Sequence, residues 1–246
     1  MVEDSSKSDI ILIDFGSQTA HLISRRVAEI GATVAIVSPS EALKIIKQTT
    51  PKGIILSGGP ASVYEKDAPT ITKEMFTLGI PILGICYGQQ LTAHLLGGEV
   101  KLGKSREDGP ATLKINMPSV LFDSVSDHSR IWMSHGDEVL GPPPGFSFIG
   151  ESETIKGAAM ADEGRRIYCV QFHPEVEHTE HGQLILRNFV EQICNIATKG
   201  QVIDTDEIIT QIKKKIGSHK VIAAVSGGLD STVAAALVAR AIGKNL

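Results

Sequence analysis

The chain has 246 residues, a formal net charge of -4 and 42% hydrophobic residues. This length predicts one large or two smaller domains, and the hydrophobic content is enough for an ordinary buried core. Acidic and basic residues are interleaved without a basic stripe, which argues against nucleic acid as a partner. We expect no targeting segment and no membrane, because no apolar stretch reaches the roughly 18 residues that span a bilayer.

The cysteines indicate a reducing compartment. Cys86, Cys169 and Cys194 share no CxxC spacing, so they do not suggest a disulfide framework. A free thiol can stay nucleophilic in the cytosol. The sequence therefore favours a cytoplasmic protein.

Short apolar runs bounded by glycine or proline predict buried strands at residues 10–13, 33–37, 53–56, 81–85 and 167–172. Helical patterns lie between the early runs, at residues 18–30 and 39–48. This alternation predicts an α/β fold with a doubly wound, mostly parallel sheet. Alternating segments within residues 97–132 predict antiparallel additions to it, and an apolar stripe predicts a final helix over residues 179–197.

A second pattern follows the final helix. It comprises an amphipathic helix at residues 204–216, a strand at 219–225, a glycine turn at 226–230 and an alanine-rich helix from Ser231. One strand and two helices cannot bury a sheet, so we expect the first fragment of a second α/β domain. The predicted organisation is a tail at 1–8, a domain at 9–198, and a linker (Thr198-Lys199-Gly200) with this fragment at 199–246.

Cys86 is the candidate nucleophile. It follows the predicted strand at 81–85 and precedes a helical stretch, with Gly84 two residues before it and Gly88 two residues after it. Small residues at these positions leave room for the strained turn of a nucleophile elbow. The amides of a helix N-terminus favour the reactive thiolate. A buried structural cysteine or a phosphate-binding turn is the alternative.

His173 and Glu175 are the candidate base and its orienting group. They lie two residues apart at the end of a predicted strand, so on an extended chain they face the same side. Glu175 would hold the imidazole in one tautomer while His173 exchanges a proton with the Cys86 thiol. A metal site is the competing interpretation, although its spacing matches no metal motif. It would use His173, His178, His181, Glu175, Glu177 and Glu180.

Two long segments carry a family resemblance. They are Gly84-Ile85-Cys86-Tyr87-Gly88-Gln89-Gln90 and Val170-Gln171-Phe172-His173-Pro174-Glu175-Val176. In this order they resemble the paired signature of class I, triad-type glutamine amidotransferases, which implies a flavodoxin-like fold. The resemblance implies that Cys86 attacks the amide carbon of glutamine and releases ammonia from a glutamyl thioester. Water activated by His173 then frees glutamate, and this step needs no cofactor.

The same resemblance implies further site residues. Backbone N–H groups of Gly59, in the loop after the third strand, and of Tyr87 would form the oxyanion hole. Asp137 has a charge suited to the substrate ammonium. The glutamine contacts carried over are Gln90, Ser134, His135, Gly136 and Asp137, for which a polar surface turn is the alternative.

Four segments resemble the GMP synthetase family more narrowly, at residues 14–18, 57–64, 106–109 and 133–139. The departure is Thr19-Ala20-His21, where relatives often have an aromatic residue. The second fragment supports the same family. Its turn lacks the spacing and lysine of a Walker A loop but resembles the pyrophosphate loop of N-type ATP pyrophosphatases. The loop residues are Ser226, Gly227, Gly228, Leu229, Asp230, Ser231 and Thr232, and the alternative is a tight strand–helix turn.

The resemblance also implies cofactors and partners. In the full-length enzyme, ATP with Mg²⁺ would activate XMP as an adenylyl intermediate, and ammonia would displace AMP to give GMP. A homodimer is implied. The XMP-binding and dimerisation segments are not found in these 246 residues. We therefore expect only the glutaminase half to be competent in this chain.

Three other functions compete with this interpretation. The first is the glutaminase subunit of another pathway, such as an anthranilate or carbamoyl phosphate partner, and the pyrophosphatase loop argues against it. The second is a non-catalytic regulatory module, against which the complete triad argues. The third is a cysteine hydrolase that acts on peptides or glutamyl chains, which a comparison of free glutamine with a short peptide distinguishes.

Overall fold

The computed structural model describes residues 8–198 and 205–246, except for the side chains of residues 102–106 and 207. These residues divide into two units, 8–198 and 205–246. Three expectations fall wholly or partly outside the described residues: the tail at 1–8, the linker at 198–200 and the side chain of Arg106 in the segment 106–109.

The strands of the first unit form one mixed sheet. In chain order they are β1 (Ile10–Ile13), β2 (Val34–Val37), β3 (Gly53–Leu56), β4 (Ile82–Ile85), β5 (Glu99–Ile115), β6 (Ser129–Gly141), β7 (Ser147–Glu151), β8 (Ala159–Asp162) and β9 (Ile167–Val170). Their order across the sheet is β2-β1-β3-β4-β9-β8-β7-β5-β6. Neighbours from β2 to β9 are parallel, and the neighbours from β9 to β6 are antiparallel.

Helices cover both faces of the parallel part, which confirms the doubly wound prediction. They are α1 (Ala20–Ile30), α2 (Pro39–Thr49), α3 (Tyr87–Leu96) and α4 (Gly182–Arg187). The alternation along β1 sends Ile10 and Leu12 to the core shared with α1 and α4. Ile11 and Ile13 point to the other core, which contains residues of α2 and α3. The all-apolar runs of the sequence are therefore strands buried on both faces.

The predicted antiparallel additions are confirmed, and their main element is a long hairpin of β5 and β6. Alternate residues of β6 are buried along most of its length. Two of these buried positions are His135 and Asp137. Polar residues on the buried face weaken the apolar alternation, which explains why the sequence does not reveal β6 as one strand.

The predicted final helix at 179–197 is wrong in its bounds. The α-helix begins at Gly182 and gives way at Asn188 to a π-helical turn, Asn188–Ile193. The chain before it is held by β6, since Glu180 N donates to Arg130 O at 2.9 Å and Thr179 accepts from Trp132 N at 3.2 Å. These long-range bonds prevent a helical turn from starting at Thr179.

The second unit contains α5 (Thr205–Ile216) and α6 (Leu229–Ile242), followed by a 3₁₀ turn, Gly243–Asn245. The two predicted helices are confirmed, but the predicted strand at 219–225 is wrong: its residues adopt no regular structure. A strand must bond to a neighbouring strand, and the described part of this unit offers no other extended segment. Ile222 is consequently 98% exposed.

Candidate active site

The candidate residues gather at one edge of the sheet. Ser57, Cys86 and the segment ending in His173 directly follow β3, β4 and β9, which are adjacent parallel strands. Carboxyl ends of parallel strands meet at one edge, where open α/β sheets bind their ligands. The chain thus assembles there residues that are far apart in sequence.

Cys86 lies in a strained turn between β4 and α3. Its φ of 52° and ψ of -106° are unusual for a residue other than glycine, and its N–H donates to Val170 O at 2.8 Å. The flanking glycines pack against backbone. A Cβ on Gly84 would lie 2.8 Å from the Gly88 carbonyl, and one on Gly88 would lie 2.5 Å from Leu56 O. The geometry is that of a nucleophile elbow.

The predicted triad comes together. His173 Nδ1 lies 2.8 Å from Glu175 Oε1, and the Glu175 side chain is fully buried. Burial by itself lowers the pKa of His173, but hydrogen bonds to Cys86 and Glu175, together with their charges, raise this pKa to about 10. The imidazole is therefore protonated at neutral pH, opposite the Cys86 sulfur. An imidazolium in this position stabilises a thiolate.

Two contacts from neighbouring elements hold the histidine segment. Arg26 of α1 donates from Nε to the backbone oxygen of Glu175 at 3.1 Å. His173 N donates to Trp132 O of β6 at 3.0 Å. The backbone of Glu175 is thus tied to a helix, and the backbone of His173 to a strand.

The loop after β3 lies against the nucleophile. A Cβ on Gly58 would lie 3.3 Å from His173 Cε1, and one on Gly59 would lie 3.4 Å from Tyr87 Cγ and 2.8 Å from Phe15 O. Within the described residues, the amides of Gly59 and Tyr87 donate to no protein acceptor. Free amides beside the nucleophile have the composition of an oxyanion hole.

A cleft of about 320 Å³ opens over the cysteine. This volume is at the lower end of the range for small-molecule pockets. The cleft is lined by Gly16, Ser17, Gln18, Thr19, Gly59, Pro60, Cys86, Trp132, Ser134, His173 and Val176. Its lining therefore combines polar side chains and glycine backbone with the apolar side chains of Pro60, Trp132 and Val176.

Only Ser134, among the five predicted glutamine contacts, lines this cleft. Its backbone oxygen lies 3.5 Å from the Cys86 sulfur. Gln90, His135 and Asp137 are buried and bond to one another: both Gln90 Nε2 (2.7 Å) and His135 Nδ1 (3.0 Å) meet Asp137 O. Asp137 Oδ2 accepts from Ser62. Gly136 has open space beside it, with no atom within 4 Å of an added Cβ.

The other two cysteines differ from Cys86. Burial raises the pKa of Cys169 to about 12, and burial also raises the pKa of Cys194. Both thiols therefore stay protonated at neutral pH.

The described residues include no cluster of three or more His, Cys, Asp or Glu side chains arranged for a metal ion. His178 instead stacks on Trp132, with ring centroids 4.6 Å apart.

Sequence reasoning did not identify Trp132, Val176, Gly58 or Thr179 as parts of the site. Trp132 and Val176 line the cleft, and Gly58 lies beside His173. Thr179 is buried behind the histidine, which it contacts through its hydroxyl. Val176 belongs to the segment 170–176, and Gly58 adjoins Gly59 in the loop after the third strand, so both are next to predicted site residues in the sequence. No local signal marks Thr179.

The predicted phosphate loop of the second unit forms an exposed turn before α6. Gly227 has a φ of 83°, and Gly228 caps the helix. Ser226 Oγ and Ser231 Oγ are 3.1 Å apart, and Thr232 Oγ1 donates to Gly228 O. A fourteen-residue helix with hydroxyls at its N-terminus fits a phosphate group.

None of the described helices is both long and apolar enough to cross a bilayer.

Two family models match the chain. The model of class I glutamine amidotransferases matches residues 11–193, and the NAD synthase model matches residues 202–246. The first match covers both triad segments and the cleft. The second covers the loop before α6.

Similar proteins agree with this division. The glutamine-hydrolysing GMP synthase of Nitratidesulfovibrio vulgaris is 46% identical over 98% of this chain, and that of Staphylococcus epidermidis is 47% identical over 96%. These matches cover 47% and 46% of the relatives, so the chain spans about half the length of the curated relatives it matches.

Solved structures show the same fold. A Thermoplasma acidophilum protein, provisionally described as one subunit of a GMP synthase, has a TM-score of 0.70 and 31% identity, with 76% of this chain and 93% of that chain covered. A glutamine amidotransferase of Thermotoga maritima has a TM-score of 0.62 and 20% identity, with 76% and 98% covered. The second likeness concerns the fold alone.

Proposed function

The chain belongs to the class I glutamine amidotransferase family, and on that premise we propose that residues 9–198 hydrolyse glutamine to glutamate and ammonia. The observation that carries this proposal is the triad: the His173 imidazole lies between the buried Glu175 carboxylate and the Cys86 thiol. The strained elbow and the two free amides beside it supply the remaining parts of an acyl-transfer site.

The geometry supports an ordinary two-step sequence. The Cys86 thiolate attacks the side-chain carbonyl carbon, and the amides of Gly59 and Tyr87 bind the resulting oxyanion. His173 gives its proton to the leaving nitrogen, so ammonia departs as the C–N bond breaks and a glutamyl thioester remains. His173 then takes a proton from water, which attacks the thioester. Glutamate leaves as the C–S bond breaks, and the thiolate is restored.

Glutamine would occupy the cleft with its amide towards Cys86. Ser134 lies on the cleft wall and suits a polar contact to the substrate. Gln90, His135, Gly136 and Asp137 belong to β6 or lie against it, so we propose that they shape this wall from behind. For Asp137 we keep the proposed contact with the substrate ammonium, which requires its buried side chain to turn from Ser62 towards the cleft.

The wider function we propose is the glutamine-dependent step of GMP synthesis. The similarity to glutamine-hydrolysing GMP synthases extends across both units. The loop Ser226–Thr232 would hold the pyrophosphate of ATP, with Mg²⁺ at the nucleotide. ATP, when bound, supplies activation of the XMP oxygen that ammonia displaces. Homodimerisation and a cytoplasmic location are part of the same proposal, and the free state of all three cysteines supports the latter.

Covalent labelling tests the proposed glutaminase site. The chain is incubated with the chloroketone analogue of glutamine, and the added mass is located by peptide mass spectrometry. We expect labelling at Cys86, protection by free glutamine, and slower labelling in His173→Ala. Cys169 and Cys194 are internal controls, because burial keeps both thiols protonated.

Two outcomes would count against the proposal. Equal labelling of the three cysteines without glutamine protection means that the chain has no glutamine site. Protection by a short peptide, but not by glutamine, favours a peptide hydrolase.

A further inference from the structure

Thr179 has a buried hydroxyl that contacts two separate parts of the backbone. The residue is 5% exposed and lies in the turn that leads to α4. Its Oγ1 donates to His173 O at 2.6 Å and accepts from Trp132 N at 3.2 Å. One hydroxyl thus uses its donor and an acceptor position at the same time.

These bonds complete a link between His173 and β6. His173 N donates directly to Trp132 O at 3.0 Å. The opposite pair, His173 O and Trp132 N, is joined through the Thr179 hydroxyl. His173 and Trp132 therefore exchange two backbone connections, as neighbouring strand residues do, except that a hydroxyl is inserted into one of them.

The same strand also contacts the nucleophile. Ser134 lies two residues after Trp132 in β6, and its carbonyl oxygen lies 3.5 Å from the Cys86 sulfur. A shift of His173 relative to Trp132 would therefore change the distance between the imidazole and the thiol. The spacing of the triad depends on how firmly His173 is held to β6.

The surrounding chain leaves little freedom for another arrangement. Gly182 packs on the backbone of Pro174, where an added Cβ would lie 1.9 Å from the carbonyl oxygen. Thr179 N donates to Val176 O and Gly182 N donates to Thr179 O, each at 3.2 Å. The turn from Pro174 to Gly182 is thereby closed on itself, with the Thr179 hydroxyl directed back to the histidine.

We propose that Thr179 is a positioning residue of the triad, whose hydroxyl holds the His173 backbone at the correct distance from β6 and hence from Cys86. This inference rests on the proposed glutaminase function. Thr179 does not line the cleft, so its effect is on the chemical step rather than on substrate binding. Loss of the hydroxyl would also leave the amide of Trp132 and the carbonyl of His173 without their partner.

The test compares Thr179→Val, which keeps the shape and removes the hydroxyl, with Thr179→Ser, which keeps the hydroxyl. Alkylation by the chloroketone analogue of glutamine is followed over a range of concentrations, giving a maximal rate and a half-saturating concentration. In Thr179→Val we expect the maximal rate to fall about 10-fold to 100-fold, as for a small displacement of a reacting group. The half-saturating concentration should change less than about threefold, since the cleft wall is intact.

Two further measurements separate positioning from general damage. Thr179→Ser should restore the maximal rate to within about threefold of the wild type, because the bridging oxygen is back. Thr49→Val is the matched control: Thr49 is a half-buried threonine of α2 whose hydroxyl donates to Ile45 O, away from the cleft. It should leave both alkylation parameters unchanged. Melting temperatures are recorded for every variant.

The outcomes distinguish a failure of the proposed glutaminase function from a failure of the proposed positioning role of Thr179. If the wild-type chain is not labelled at Cys86, the proposed function fails. If the wild type is labelled but folded Thr179→Val reacts at the wild-type maximal rate, the positioning role is rejected. If Thr179→Val does not fold, Thr179→Ala takes its place. If that variant does not fold either, the hydroxyl serves the fold and the positioning role is rejected.

Discussion

His173 carries its proton at neutral pH because two partners outweigh its burial. Its pKa rises from the ordinary 6.5 to about 10, against the lowering effect of burial, through Cys86 and Glu175. A raised folded-state pKa means that protonation stabilises the fold. This contribution is complete below pH 6.5 and is lost as the pH rises through about 10.

The charge of Glu175 can be removed without removing its shape. In Glu175→Gln we expect the pKa of His173 to fall, because one hydrogen-bonded charge is lost while burial continues to lower the pKa. The measurement is an NMR titration of the His173 imidazole. The wild-type signal should stay constant from pH 6 to pH 8, where an ordinary histidine titrates.

A His173 signal that titrates between pH 6 and pH 8 in the wild type would contradict the paired state. An unchanged His173 pKa in Glu175→Gln would mean that Cys86 alone raises the pKa of His173.

At the scale of elements, the β4–α3 turn depends on close backbone packing. A Cβ on Gly88 would lie 2.5 Å from Leu56 O of β3, and no side-chain rotation can relieve a contact with backbone. We expect Gly88→Ala to lower the free energy of unfolding by about 1–3 kcal/mol, the usual cost of overpacking. It should also slow alkylation of Cys86, because the turn must shift. Urea denaturation measures the first effect.

Gly136→Ala is the matched control for this substitution. Gly136 lies within β6, and a Cβ there meets no atom within 4 Å. Its free energy of unfolding should remain within about 0.5 kcal/mol of the wild type. Equal losses in the two variants would show that the close approach at Gly88 does not limit stability.

At the scale of the whole molecule, every residue of the candidate glutaminase site lies in the first unit. The triad, the two free amides and the cleft lining all fall before residue 198. We therefore expect a chain that ends at Gly200 to be alkylated at Cys86 at a rate within about twofold of the longer chain, as for independent parts. A melting curve serves as the control for folding. A folded but unreactive short chain would show that the second unit contributes to the site.

The sequence by itself determined the features that depend on nearby residues. All five apolar runs became strands of the parallel part of the sheet, since short runs of apolar residues suit strands that are covered on both faces. The elbow followed from Gly84 and Gly88, whose spacing around Cys86 reflects local backbone crowding. The pairing of His173 with Glu175 was anticipated from their spacing, but the two residues meet in a turn beyond β9 rather than on an extended strand end.

Only the tertiary structure decided the features that depend on distant parts of the chain. The Ser134 carbonyl meets the Cys86 sulfur across 48 positions, and Thr179 meets Trp132 across 47. Such bonds overrule local helix propensity, so the last helix begins at Gly182 rather than Thr179. Segment 219–225 forms no strand because apolar composition alone cannot replace a hydrogen-bonded neighbour.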